Sequence, residues 1–186
     1  MKKIIKRSLA LVSVMVLTMS LSGCSIFDLF GMSQSIEKRQ ALEDYAYALN
    51  EDSIYWESMQ VTANSFSNTN DIQELTFAMK SLIPDLDKVL ANAKNRNANI
   101  EDPEIKDIDD SYVAFVTSMR NGYQIIVEAV DENDEKKFNA GVNQVMSCYD
   151  DASEYVRKLK EFSEKYNIEM NDALTKLEST LENFNN

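Results

Sequence analysis

The sequence predicts an all-α protein, an elongated antiparallel bundle of four to five helices with heptad-like packing. Three observations carry this. Past residue 34, apolar residues recur in alternating steps of three and four, the period of one helix face. No stretch alternates apolar and polar residues between turn signals, as a half-buried strand would. Only 4 Gly and 2 Pro occur in 186 residues. The polar connections are short enough for helical hairpins, which favours a bundle over a single extended coiled coil.

The first helical segment places Leu42, Tyr45, Leu49, Trp56, Met59, Ala63 and Phe66 on one seam. The step between Leu49 and Trp56 is filled by Asp52 or Ser53, a polar position that sets register or contacts a ligand. The second segment carries Ile72, Leu75, Met79, Leu82, Leu86, Val89 and Ala93. Asn70 and Gln73 have the spacing of a capping box at its start. Pro84 lies opposite the seam and is expected to kink or restart the helix. Residues 95–102 read as a polar connection. Asp102 then fits an N-cap and Pro103 the first helical position.

The third segment shows Ile105, Ile108, Tyr112, Phe115, Met119, Tyr123, Ile126 and Val130. Two four-residue steps meet at Met119, beside Gly122, a stutter that straightens the supercoil locally. Residues 131–135 form the next turn. The fourth segment carries Phe138, Val142, Val145, Tyr149, Ala152, Val156 and Leu159, and a tail adds Met170, Leu174, Leu177, Leu181 and Phe184. Asn167 marks a break between the two. The first and fourth helices are each expected to run about 45–50 Å, at ~1.5 Å per residue.

The N-terminus reads as an address. Lys2, Lys3, Lys6 and Arg7 precede an apolar run from Ser8 to Leu21, too short for an ordinary spanning helix and laid out like an export signal. The run ends in Leu21, Ser22, Gly23 and Cys24. This order of charge, apolar run, small residues and Cys resembles a bacterial lipoprotein signal peptide, with residues 21–24 as its lipobox. The resemblance covers residues 1–24 only; beyond them the chain resembles small helical surface lipoproteins in broad character. It implies diacylglycerol on the Cys24 sulfur, cleavage before Cys24 and acyl chains of the palmitate type in the membrane. Two acyl chains give stable anchoring, at about 0.8 kcal/mol per buried methylene. The expected organisation is a signal peptide at 1–23, a lipidated Cys24 with a short apolar tether at 24–34, and a helical domain at 35–186. Ile26, Phe27, Leu29 and Phe30 in the tether dip into the headgroup boundary or pack on the base of the domain. Both arrangements keep the domain close to the extracytoplasmic face of the cell membrane.

Composition removes many activities. The chain has no His, so imidazole-based triads, Cys-His pairs and imidazole metal ligands cannot form. Rossmann and phosphate-loop fingerprints are absent. Residues 1–23 hold four of the 19 basic residues and none of the 31 acidic ones, so the remaining 163 residues carry 15 against 31, a net of −16. A chain this acidic is a poor partner for nucleic acid, repels anionic lipid and attracts cationic molecules in a salt-dependent way. No cofactor or metal is implied, and no enzyme activity.

Four features stand out as candidate sites. Tyr47, Ile54 and Val61 are spaced by seven and lie opposite the main seam of the first segment, with Phe77 equivalent on the second. This stripe is either a surface for a protein partner or the back of a helix covered by another, such as the C-terminal one. The acidic runs at 131–135 and 101–110 suggest a hard cation or solvated helix caps; an EF-hand register from Asp131 fails, with Lys136 and Val142 at the sixth and twelfth positions. Cys148, alone once Cys24 is lipidated, is a small buried hydrophobe, a reactive thiol or an intermolecular disulfide partner. Tyr45, Tyr55 and Trp56 are core or a sugar platform. The expected function is a non-catalytic binding or adaptor module at the cell envelope. The alternative is an acidic scavenger or inhibitor of a cationic ligand, such as an antimicrobial peptide or a basic hydrolase.

Overall fold

The computed structural model describes residues 33–66 and 68–168. Five helices account for almost all of them: α1 (Ser33–Asn50), α2 (Ser53–Ser65), α3 (Ile72–Asn99), α4 (Pro103–Glu132) and α5 (Glu135–Lys165). Among the described residues there is no strand, and none of these helices is long and apolar enough to cross a membrane. The leader, the lipobox with Cys24, nearly all of the tether and the tail seam from Met170 to Phe184 lie outside the described residues.

Consecutive long helices pack antiparallel. Along α4, Glu104, Asp107 and Ser118 meet Lys165, Lys158 and Asp151 of α5. Arg120 and Asp109 meet Asp87 and Arg96 of α3. The α1–α2 arm runs with α4: Lys38 contacts Asp102 near the start of α4, and Trp56 contacts Tyr112 further along. Phe66 at the end of α2 faces Phe77 near the start of α3, with ring centroids 6.1 Å apart.

Each seam becomes core. Trp56, Tyr112, Tyr123, Phe115 and Met59 are the largest fully buried side chains, and Leu75, Met79, Leu82 and Leu86 join them from α3. Burial of each such side chain is worth about 1.5–3 kcal/mol. The tightest contact is between α4 and α5. A Cβ on Gly122 would stand 2.9 Å from the Val145 backbone nitrogen, and one on Gly141 2.9 Å from that of Ile126. The missing side chains let the two backbones close up here. Gly122 therefore marks a close approach of α4 and α5.

The helix ends follow local chemistry. Asp102 caps α4 by accepting from the amides of Glu104 and Ile105, with Pro103 in the first turn. Asn133 ends α4 at φ 54°, and the Asp134 amide donates back to Ala129 O at 2.9 Å, a Schellman-type closure. Asn167 ends α5 in the same way, with φ 52° and Ile168 N donating to Ser163 O. Short polar side chains tolerate this left-handed conformation best after glycine.

Four expectations need correction. The first segment is two helices, interrupted at Glu51 and Asp52. The α3 cap is Asp71, whose carboxylate accepts from Gln73 N at 2.8 Å; an ionised Asp one residue nearer the helix displaces the Asn70 pairing. Helix α3 runs through Pro84 without restarting. The proline is exposed, so its ring sits on the wet side and the apolar face stays seated on the core. The α3–α4 connection is shorter than residues 95–102, because α3 continues to Asn99.

Candidate functional site

Asp52 explains the interruption between α1 and α2. It occupies the gap in the first seam and is fully buried. A carboxylate there needs partners. Asn92 Nδ2 donates to its Oδ1 at 2.9 Å, and Arg96 Nη1 and the Tyr112 hydroxyl donate to its Oδ2 at 3.1 and 3.3 Å. Asp52 thus spends its side chain on α3 and α4 and makes no cap bond to α2. Of the two sequence-level roles, the contacts are those of a register-setting device.

Arg96 is the hub. Its Nε and Nη2 donate to Asp109 Oδ1 at 3.0 and 2.9 Å, so one guanidinium joins two buried carboxylates from α2's start and α4. Its Cζ lies 4.9 Å from the Tyr112 ring centroid and 5.6 Å from that of Tyr45, within cation–π range. Trp56 Nε1 donates to the Tyr112 hydroxyl at 3.1 Å, extending the network. Burial raises the Asp52 pKa, opposed by Asn92 and Arg96. Burial works to lower that of Arg96, but Tyr45, Tyr112 and Asp109 outweigh it and the guanidinium stays charged. Asp109 Oδ2 is buried with no hydrogen-bond partner among the described residues. The Tyr45 and Trp56 seen in sequence are core, and Tyr55 packs partly buried against it.

The acidic run at the start of α4 is taken up by cations from three helices. Lys38 bridges Asp102 and Glu104, both at 2.8 Å. Lys165 and the Tyr166 hydroxyl reach Glu104 at 2.5 Å. Lys158 reaches Asp107 at 2.8 Å, and Asn97 donates to Asp110. Hydrogen bonds from Lys165, Lys38 and Tyr166 pull the Glu104 pKa down to about 2. Among the described residues, no group of three or more Cys, Asp or Glu side chains is gathered as a metal site. The 131–135 run supplies the last turn of α4 and the cap of α5: Asp134 accepts from Lys137 N, and Glu132 pairs with Lys137.

Cys148 is fully buried and free. Burial, then Asp151 and Asp150, push its thiol well above the ordinary range. That is the setting of an inert packing residue.

Two surfaces are open. Tyr47 on α1 and Ile54 and Val61 on α2 are 77%, 67% and 68% exposed, and Ile36 and Phe77 are comparably bare. Ile36 was not part of the sequence-derived stripe. The second surface is a groove of about 1030 Å³ between α1 and the last turns of α3. Its floor includes Ala41, Tyr45, Ala48 and Ile105, and Asn92, Asn95 and Asn99 edge it from α3. The groove had one sequence signal that the periodic reading passed over: Glu37, Asp44 and Glu51 recur every seven residues.

Compared with known proteins, the chain matches no protein family, no curated protein and no solved structure.

Proposed function

We propose that the protein is a lipid-anchored, extracytoplasmic, non-catalytic binding module that presents a helical surface to a protein partner at the cell envelope. The observation that carries this is the set of large apolar side chains, Tyr47, Ile54 and Val61, left bare on α1 and α2 while most of the described seam residues are buried. Exposed apolar clusters of this kind are characteristic of interaction surfaces. The lipobox resemblance at Leu21–Cys24 supports the anchor. The lack of His and the inert surroundings of Cys148 support a role without catalysis. Confinement to the membrane plane raises the effective concentration of a neighbouring membrane protein, so modest affinity suffices.

Photo-crosslinking in living cells tests the reading. A photoreactive residue replaces Ile54, with a control at Glu161 on the exposed side of α5. The expected result is a discrete adduct from Ile54 alone; equal adducts from both positions, or none from Ile54, count against a partner at this face. Cys24→Ala is expected to abolish fatty-acid labelling and release the domain from the membrane fraction. The acidic groove beside α1 supports the second reading, capture of a cationic ligand.

A further inference from the structure

We infer that the groove between α1 and the C-terminal turns of α3 binds a cationic amphipathic helix, presented by a peptide or a protein segment. The inference rests on the second functional reading and gives it a site distinct from the Tyr47–Ile54–Val61 face.

Among the described residues lining the groove, the charged ones are Glu37, Asp44, Glu51, Glu101, Asp102 and Arg96. Arg96 is committed to Asp52 and Asp109 behind it. Asp102 is paired with Lys38. Glu37, Asp44, Glu51 and Glu101 are exposed and pair with no cation among the described residues. This contrasts with the start of α4, where neighbouring acids are neutralised by lysines. The C-terminal end of the α3 dipole lies at the same place. The groove is therefore a concentrated negative field on an apolar floor.

Shape selects the class of cation. Glu37 and Asp44 on α1 and Glu51 in the turn that follows it recur at seven-residue intervals, and Ala41 and Ala48, seven apart, line the floor between them. Small floor residues allow close approach of a helix, while acids at heptad intervals meet basic residues at flanking positions of a partner, as in coiled coils. From Glu37 to Glu51 the wall is about 21 Å long, at 1.5 Å per residue. That accommodates about four turns of a docked helix. The chain's own residues 169–186 do not fit this charge, since Glu169, Asp172, Glu178 and Glu182 stand against Lys176 alone.

The test uses the full chain purified in detergent and a fluorescent 21-residue probe peptide of three heptads, Leu and Ala at the core positions and Lys beside them. Anisotropy is expected to report binding that weakens at least tenfold between 50 and 300 mM NaCl. The triple variant Glu37→Gln/Asp44→Asn/Glu51→Gln is expected to bind at least tenfold more weakly. A control of equal charge change, Asp131→Asn/Glu135→Gln/Asp150→Asn, is expected to stay within twofold. All six substitutions are at exposed positions, and circular dichroism checks that both variants remain folded. Equal losses in the two variants would mean a diffuse response to net charge and overturn the site. So would binding of the same peptide with Glu in place of Lys, displacement by spermine as effective as by unlabelled peptide at equal charge, or no binding at all. The Ile54 crosslink reads a different face, so failure of either experiment leaves the other interpretable.

Discussion

Removing the Arg96 guanidinium should be strongly destabilising, because it strands two buried carboxylates. Arg96→Met keeps the aliphatic stem and deletes the charge. Asp52 and Asp109 are then left as two fully buried carboxylates with no cation between them. Breaking a buried pair by removing one partner costs about 3–5 kcal/mol. Domains of this size have about 5–15 kcal/mol of stability, so the variant approaches the unfolding threshold. The loss is measured by urea denaturation, followed through the fluorescence of Trp56, the sole tryptophan, which is fully buried. The cost must also depend on pH. Burial already raises the Asp52 pKa, and losing Arg96 raises it further. A group whose folded pKa lies above its unfolded value gives a contribution present at low pH and lost as pH rises through the folded value. The gap between wild type and variant should therefore be widest at pH 7 and narrow towards pH 4.5. Asp52→Asn/Arg96→Met/Asp109→Asn, with no charge left to strand, should recover most of the loss. A cost below about 1 kcal/mol, or a gap that does not change with pH, would refute the view that Arg96 balances the buried Asp52 and Asp109 in the core.

Other expectations are simpler to state. Gly141→Ala places a methyl 2.9 Å from the Ile126 backbone nitrogen, so helices α4 and α5 must part, at a cost of about 1–3 kcal/mol in urea titration. Native Cys148 should resist iodoacetamide and react at an ordinary rate only in denaturant, as quantified by mass spectrometry; fast labelling of the folded protein would contradict its burial. Carboxyl NMR should find Glu104 titrating near pH 2, where hydrogen bonds from Lys165, Lys38 and Tyr166 hold it. Because its folded pKa is depressed, its contribution is complete above the ordinary value of 4.5 and is lost as pH falls through about 2. Glu104→Gln should flatten that part of the stability profile.

Much of the fold was legible because burial imposes a period on the sequence. Leu75, Met79, Leu82, Leu86 and Val89 had to face one way, and they do. Asp102-Pro103 and Asn167 were legible because cap chemistry is local. What could not be read was pairing at a distance. Asp52 reads in sequence as a polar position that sets register or contacts a ligand. Its meaning depends on Arg96, 44 residues away, and Arg96 lies in a stretch whose polarity reads as a loop. The polar run at 95–99 is helical because its polar side chains have tasks: Arg96 in the core, Asn97 on Asp110 and Lys106. The same gap hid the groove. A repeat of acids at 37, 44 and 51 is visible in one dimension, but the space beside it is formed jointly by α1, the end of α3 and the start of α4.

The distribution of pairing connects these points. An acidic chain can lower its self-repulsion by placing lysines beside carboxylates, and this one does so at the start of α4, where Lys38 of α1 and Lys158 and Lys165 of α5 converge on Asp102, Glu104 and Asp107. Beside the groove the same chemistry is absent: Glu37 and Glu51 line an open groove with Arg96 already spent on the core. Surface pairs contribute little to stability in any case, commonly about 0–1 kcal/mol, so stability alone does not call for lysines there. Yet leaving four acids around one concavity costs solvation and repulsion whenever anything apolar enters it. Only an occupant that brings its own positive charge gains from both the walls and the floor. That asymmetry, between acids neutralised where the bundle closes and acids left bare where it opens, is the strongest physical reason to look for a basic helix in the groove.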